Sequence, residues 1–328
     1  MSTPLFEIDK LSLQYHTNGG AFHALRDVSL TARRGEVIGI VGESGSGKST
    51  LVSAMIGLLS ANAYITNGSV KINDTDLLTL SERKRRRFRG HDIAVIFQDP
   101  MTAFNPVLPL GAQLIDFQFH RRGVSKRDKR QHAIDTLTHV GIAAADKIMA
   151  KYVHELSGGM RQRAAIAAAL VMTPDVLIAD EPTTALDVTM EAQIIHLLRQ
   201  LSHDHDGTII VVTHHLGVIG ELCDRVYVMY AGQVVEEGPV DAIYHTPGHP
   251  YTTALIDCDL VHLDETPRTL PTIPGRVPDL APPPAGCAFA NRCEKAQTRC
   301  FASAPPRVQI AKEHAAWCFR VPGHEVAQ

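Results

Sequence analysis

The stretch Gly42-Glu43-Ser44-Gly45-Ser46-Gly47-Lys48-Ser49 leaves this chain little freedom in its choice of fold. It has the spacing G-x-x-x-x-G-K-[ST] of a phosphate-binding loop. The apolar run 37–41 before it reads as a buried strand, and Thr50-Leu51-Val52-Ser53-Ala54-Met55-Ile56 after it reads as a helix. That strand–loop–helix setting is what the motif needs. Glycines let the backbone turn tightly, so that successive N–H groups converge on phosphate oxygens. The helix N-terminus adds roughly half a positive charge at the same place. Lys48 can reach the β- and γ-phosphates, and the Ser49 hydroxyl can ligate Mg²⁺. The alternative is a glycine-rich turn with no ligand, which the preceding strand and the Lys48-Ser49 pair argue against. Gly42 through Thr50 are therefore the expected contacts for a nucleoside triphosphate.

Three further segments place polar residues where an apolar strand ends. Ile93-Ala-Val-Ile-Phe97 runs into Gln98-Asp99-Pro100, and a glutamine leaving a strand can touch both a metal-bound water and a neighbouring segment. Val176-Leu-Ile-Ala runs into Asp180-Glu181. Two adjacent acids at a buried strand end are hard to explain by stability, because a buried charge without a partner or metal is costly. Asp180 is placed to hold Mg²⁺ and Glu181 to orient or deprotonate the attacking water. Thr208-Ile-Ile-Val-Val-Thr213 runs into His214-His215, and a histidine there can hydrogen-bond a γ-phosphate. Between them, Leu156-Ser157-Gly158-Gly159-Met160 reads as a helix start capped by Ser157, with backbone N–H groups left open by the glycines. Taken alone it is a capped helix; between two nucleotide motifs it reads as a second anion site.

The remaining periodicity frames these motifs. Residues 6–15 and 24–32 alternate as half-buried strands around an Asn18-Gly19-Gly20 turn, and Tyr15 at the end of the first either stacks on an adenine ring or is an ordinary strand tyrosine. Asn67-Gly68-Ser69 reads as a turn before a short strand at Val70-Lys71-Ile72. Residues 99–155 read as an inserted helical region, and 226–231 with 233–235 as antiparallel strands around Ala231-Gly232. Strands alternating with helices, with polar motifs at strand ends, give an α/β sheet of largely parallel strands with its ligand site at the carboxyl edge.

Composition excludes some classes. The net charge of −3 supplies no basic field for nucleic acid. The basic run 81–89 reads as a solvated helix face, since no interleaved aromatics or further basic patches accompany it. The first residues lack the basic and apolar regions of a secretory signal, and the longest apolar run, Ala164 to Met172, is far short of the roughly 18–20 residues that span a bilayer. The expectation is a chain that does not cross a membrane alone but can dock on one that does.

These residues together resemble the ATP-binding subunits of ABC transporters. Leu156-Ser157-Gly158-Gly159-Met160 is similar to that family's signature sequence, Gln98 to its Q-loop, Asp180-Glu181 to the Walker B end, Ala185-Leu186-Asp187 to the D-loop, His214 to the switch histidine and Tyr15 to the adenine-stacking aromatic. The match spans about residues 5–255. Phe97-Gln-Asp-Pro-Met-Thr-Ala-Phe-Asn-Pro106, Met229-Tyr-Ala-Gly-Gln-Val-Val-Glu236 and His249-Pro-Tyr-Thr-Thr-Ala-Leu255 resemble the dipeptide, oligopeptide and nickel importer branch, and the dipeptide-type subunit most. One position departs: the residue after His214 is usually aspartate, and here it is His215, which is expected to change local hydrogen bonds and not the γ-phosphate contact.

The resemblance implies a P-loop NTPase core over 1–257, with an antiparallel β subdomain and a helical subdomain at about 99–170, followed by a cysteine-containing extension over 258–328. It implies that two ATPases sandwich two ATP molecules, each between one chain's phosphate loop and the other's Ser157–Gly159 and Asp187. Glu181 acts on water, His214 holds the γ-phosphate, Lys48 binds it, and Ser49, Gln98 and Asp180 serve Mg²⁺. Partners are a second ATPase (self or paralogue), two membrane permeases and, through them, an extracytoplasmic binding protein, at the cytoplasmic face of the inner membrane. The cargo class is peptides, with nickel or another small solute as the alternative. A soluble ABC ATPase acting outside transport, or a non-hydrolysing regulator, are rivals that the single nucleotide domain and intact Glu181 argue against.

The tail has its own signature. Pro267, Pro271, Pro274, Pro278 and Pro282-Pro-Pro284 make an extended linker. Cys287, Cys293, Cys300 and Cys318 follow with 5, 6 and 17 residues between them. In a chain without a signal peptide such clustering favours metal over disulfides. Structural zinc usually shows close Cys pairs, which are lacking here, and four thiolates also suit a [4Fe–4S] cluster. The peptide-importer subunits carry a cysteine set of this kind, some with such a cluster. The expectation is a [4Fe–4S] cluster on these four cysteines, with zinc and no metal as the alternatives. Cys223 and Cys258 read as ordinary buried thiols.

Overall fold

The computed structural model describes residues 3–184, 186–259 and 271–321. Ala185 of the D-loop match and Pro267 of the linker lie outside the described residues. The strands, in chain order, are β1 (Phe6–Thr17), β2 (Gly20–Ala32), β3 (Val37–Val41), β4 (Ala63–Ile72), β5 (Thr75–Asp76), β6 (Ile93–Ile96), β7 (Val176–Asp180), β8 (Thr208–Thr213), β9 (Arg225–Tyr230), β10 (Gln233–Pro239), β11 (Arg307–Ala311) and β12 (His314–Trp317). They are distributed over two units, one built from 6–32, 37–78 and 213 onwards, the other mainly from 79–212.

The first unit holds two sheets. One is antiparallel in the order β2-β1-β4-β5. Its strand β4 begins well before the expected Val70, because it pairs with β1 from Tyr15↔Ala63 to Phe6↔Ile72. Asn67-Gly68 is therefore not a turn. It is a bulge inside the strand, where Gly68 takes φ 95° and a Cβ would sit 2.5 Å from the Asp9 carbonyl. In the other sheet β3 lies parallel to β9, which is antiparallel to β10. Every residue of β3 and β9 is buried; both are apolar runs except for Arg225 at the start of β9, which donates to the Thr31 carbonyl at 2.6 Å. Ala231 and Gly232 turn β9 into β10 with φ 48° and 78°, the paired left-handed conformation of a tight hairpin. The tail adds two strands that its composition does not announce: β12 pairs with β10, and β11 with β12. The proline-rich 271–286 runs without regular structure, and the Leu280 carbonyl accepts from His23 N–H at 3.0 Å.

The second unit contains β6, β7 and β8 in parallel register, Ile93↔Val176 and Val176↔Thr208. The region after β6 forms helices Leu110–Phe117, Lys126–His139 and Ala145–Ile148. The alanine-rich Gly158–Leu170 helix buries all its residues from Ala164 to Ala169. The basic run becomes helix Glu82–Phe88, none of whose residues is buried and whose Glu82 pairs with Arg85 and Arg89. No helix among the described residues is long and apolar enough to cross a membrane.

Candidate nucleotide site

In the first unit, β3 delivers the chain into the phosphate loop and helix Lys48–Met55 carries it away. Gly45 and Gly47 take φ 80° and 101°, conformations that cost an L-residue roughly 1–2 kcal/mol. Gly42 is required by space: a Cβ there would lie 2.2 Å from the Met229 carbonyl oxygen. Gly47 caps the helix with no side-chain acceptor, so the first-turn amides are not satisfied by a cap. Lys48 is buried and folds over the loop, its Nζ donating to the Gly42 carbonyl at 2.5 Å and to the Glu43 carbonyl at 3.0 Å. Ser44, Gly45 and Ser49 are exposed, and the buried Ser46 hydroxyl has no hydrogen-bond partner among the described residues. A concave run of amides over a lysine, with an unpartnered hydroxyl, fits a polyphosphate. Tyr15 Oη donates to Thr50 Oγ1 at 3.3 Å, which sets that ring beside the start of the same helix.

Glu43 behaves differently from its neighbours. Its N–H donates to Tyr251 Oη at 2.9 Å, and its carboxylate is gripped by Arg292 from the tail. The loop is further tied by Gly232 N–H to the Ser46 carbonyl at 2.9 Å. Tyr251 lies in the first turn of helix Pro250–Asp257, whose N-cap is the buried His249. Burial pushes His249 down to about 4, and the neutral ring accepts the Tyr251 N–H at Nδ1, 3.0 Å away. None of these supports was foreseen from the sequence.

His214 and His215 follow β8, both exposed, with their rings 4.0 Å apart. His215 occupies the N-cap of helix Leu216–Leu222 without making a side-chain cap bond, and its N–H donates to Thr213 Oγ1 at 3.0 Å.

In the second unit, Asp180 closes β7 and pairs in register with Val212 of β8. Glu181 follows with φ 51°, a left-handed conformation unusual for a non-glycine residue. Its N–H donates to the Val212 carbonyl at 2.8 Å, and Thr184 Oγ1 donates to its Oε2 at 2.5 Å. A strained backbone held by two hydrogen bonds is the kind of outlier found at catalytic positions. Gln98 is exposed just past β6. Ser157 caps helix Gly158–Leu170 by accepting the Met160 N–H at 3.4 Å. A Cβ on Gly158 would meet nothing within 4 Å, so among the described residues no neighbour demands glycine there. Asp187 caps helix Val188–Asp204 by accepting the Met190 N–H at 2.8 Å.

The four tail cysteines, with His249 and Phe289, line one cavity of about 20 Å³ in the first unit. No cysteine is in a disulfide. The Gln297 and Arg320 N–H groups point at the sulfurs of Cys300 and Cys318, each at 3.4 Å. Burial pushes Cys287 up to about 11 and raises Cys293 and Cys318, so all three are thiols at neutral pH. Against the expectation of a metal ligand set, no group of three or more His, Cys, Asp or Glu among the described residues is arranged to hold a metal ion. The four thiols converge, but the cavity has room for about one water molecule. Cys223 and Cys258 are half-buried rather than fully buried.

Comparisons with known proteins fit this geometry. The profile of the ABC transporter family matches residues 25–184, and that of the oligopeptide/dipeptide transporter C-terminal region matches 235–300. A putative peptide import ATP-binding protein of Brucella melitensis biotype 1 is 43% identical over 97% of both chains. The probable D,D-dipeptide transport ATP-binding protein DdpD of Escherichia coli (strain K12) is 43% identical over 92% of both. Among solved structures, the dimeric post-hydrolysis ATP-binding cassette MJ0796, bound to ADP and Pi, superposes with a TM-score of 0.64 at 28% identity, covering 72% of this chain and 98% of that one. On a phosphate loop, an acid-ended strand and full-length relatives at this identity, the chain belongs to the ATP-binding proteins of ABC transporters, in the branch that carries the oligopeptide/dipeptide C-terminal region.

Proposed function

We propose that this chain hydrolyses ATP to drive peptide import, as one ATPase of a pair seated on two membrane permeases that receive cargo from a solute-binding protein. The observation that carries the ATPase reading is the phosphate loop, with Lys48 folded over it and amides uncapped at Gly47. Peptide cargo is supported by the names of the relatives and by the C-terminal match. In this reading residues 1–257 are the nucleotide domain and 258–328 an extension. Gly42–Thr50 bind the phosphates, and Tyr15 stacks on adenine. Ser49, Asp180 and Gln98 serve Mg²⁺, Glu181 activates water, and His214 contacts the γ-phosphate. Ser157–Gly159 and Asp187 face the nucleotide of the second ATPase. Gly158 supports that last role, because it opens the helix behind the Ser157 cap with open space around it and no described neighbour requires a glycine there. The chain works peripherally at the membrane's cytoplasmic face.

The test is uptake by proteoliposomes carrying the whole transporter, with MgATP on the ATPase side and peptide-loaded binding protein on the other. Labelled dipeptide should accumulate only when MgATP is present. Accumulation of nickel and not of dipeptide would overturn the cargo; ATP turnover unaffected by permeases and cargo would overturn the coupling.

The reading extends to the thiol cavity as a [4Fe–4S] site, with zinc as the alternative. Four undisulfided thiols on one cavity, two of them receiving backbone N–H groups, supply the donor chemistry of such a cluster. When bound, the cluster would hold the four cysteines as thiolates and pin the extension; the cavity must widen to admit it. Protein prepared without oxygen should be brown, with broad absorbance near 400 nm and about four irons per chain, and Cys293→Ala should lose both. A colourless, iron-free wild type with stoichiometric zinc selects the alternative, and one with neither metal removes the site.

A further inference from the structure

Arg292 stands at the end of the single turn Ala290–Arg292, immediately before Cys293, and is 9% exposed. All five of its guanidinium N–H groups are used. Nη1 donates to Glu43 Oε2 at 2.7 Å and to Tyr230 Oη at 3.2 Å. Nη2 donates to Glu43 Oε1 at 3.0 Å and to the Ile273 carbonyl at 3.0 Å, and Nε donates to the Pro274 carbonyl at 2.8 Å. The cation also lies over the Tyr230 and Phe289 rings, 5.7 and 5.8 Å from their centroids. Burying a charge is costly unless it is paired and hydrogen-bonded, and the forked bidentate contact to a carboxylate is the strongest pairing available to it.

The carboxylate it grips belongs to the second residue of the phosphate loop. The Glu43 N–H is meanwhile fixed by Tyr251 Oη, and the Glu43 carbonyl receives Lys48 Nζ. Side chain, amide and carbonyl of one loop residue are thus all held, the first by a residue 249 positions away in the extension. We infer that Arg292 is a positioning residue for the phosphate loop: through Glu43 the cysteine-bearing extension sets the loop in its anion-binding shape. This rests on the reading that 42–49 bind nucleotide phosphates. Lysine cannot replace it, because a point charge cannot make two parallel bonds to one carboxylate while donating to three further groups.

The experiment measures MgATP dependence of hydrolysis in the assembled transporter. Arg292→Met should raise KM for MgATP about tenfold, within the range of pairwise couplings, with kcat at saturation within about twofold of wild type. Glu43→Gln should do the same, and the double variant should be no worse than the worse single, since both break one contact. Arg292→Lys, which keeps the charge, should fall between wild type and Arg292→Met and serves if the methionine variant does not fold. A merely structural role lowers the active fraction, and so kcat, leaving KM in place. The inference is overturned by an unchanged KM in Arg292→Met and Arg292→Lys, or by single effects that multiply in the double. Lys48→Ala is the control for the underlying reading. If it hydrolyses MgATP with wild-type KM, the nucleotide assignment itself fails. If it is inactive while Arg292→Met is like wild type, only the present inference fails.

Discussion

Glu181→Gln is expected to slow MgATP hydrolysis by the assembled transporter about 10²–10⁴-fold, the span over which positioned general acids and bases act, while MgATP binding stays within about twofold. The substitution isolates the chemistry. Gln keeps the shape and an oxygen to accept from Thr184 Oγ1, which donates to Glu181 Oε2. Its backbone can keep the bond from residue 181 N–H to the Val212 carbonyl. What is lost is a carboxylate able to take or orient a proton of the attacking water. The left-handed φ of 51° at this position stays strained in either variant, so no gain in stability should accompany the loss of rate. Binding is carried by the glycine loop and Lys48, which the substitution leaves alone. Steady-state hydrolysis with a parallel equilibrium titration of MgATP separates the two quantities. Hydrolysis at the wild-type rate would show that Glu181 is not the base.

The residues that announce this chemistry were legible because each depends on local sequence. A phosphate loop needs glycines at fixed offsets, and an acid at a strand end needs only the apolar run before it. β3, β7, β8 and the β9–β10 hairpin follow from the same kind of signal: apolar runs, and a turn whose two residues accept positive φ. What escaped was set by partners distant in sequence. Asn67-Gly68 has the composition of a turn, yet pairing with β1 turns it into a bulge. Strands β11 and β12 are only five and four residues long, and they exist because β10 offers β12 an edge. The grip of Arg292 on Glu43 leaves no periodic trace, since nothing in a run of prolines and cysteines indicates which arginine will be buried against which acid. The cysteines show the opposite case: their clustering was visible in the sequence, but that the four thiols line one small cavity depends on how the extension folds.

Glu236→Leu is expected to destabilise the protein by at least about 3 kcal/mol, because it strands two buried amides and a buried imidazole, each costing about 1–3 kcal/mol. Glu236 is 0% and His314 1% exposed. The carboxylate accepts the Gly248 N–H at 2.6 Å and the His249 N–H at 2.9 Å, and lies 2.8 Å from His314 Nε2. One acid in β10 therefore holds two things: the tail strand β12, through its first residue, and the turn that leads into helix Pro250–Asp257. Leucine fills similar volume but satisfies none of the three groups. Adding His314→Leu removes the stranded imidazole yet leaves two buried amides unpaired, each costing about 1–3 kcal/mol. The double variant should thus recover only part of the loss. Urea unfolding of the single and double variants measures both terms. A single variant within about 1 kcal/mol of wild type, or a double restored fully to wild type, would show that Glu236 and the groups it binds do not anchor this edge. Because helix Pro250–Asp257 brings Tyr251 to the Glu43 amide, the same variant should weaken MgATP binding, while His314→Leu alone, which keeps Glu236 on both amides, should weaken it less. That difference separates loosening of the tail strand from loosening of the helix that supports the phosphate loop.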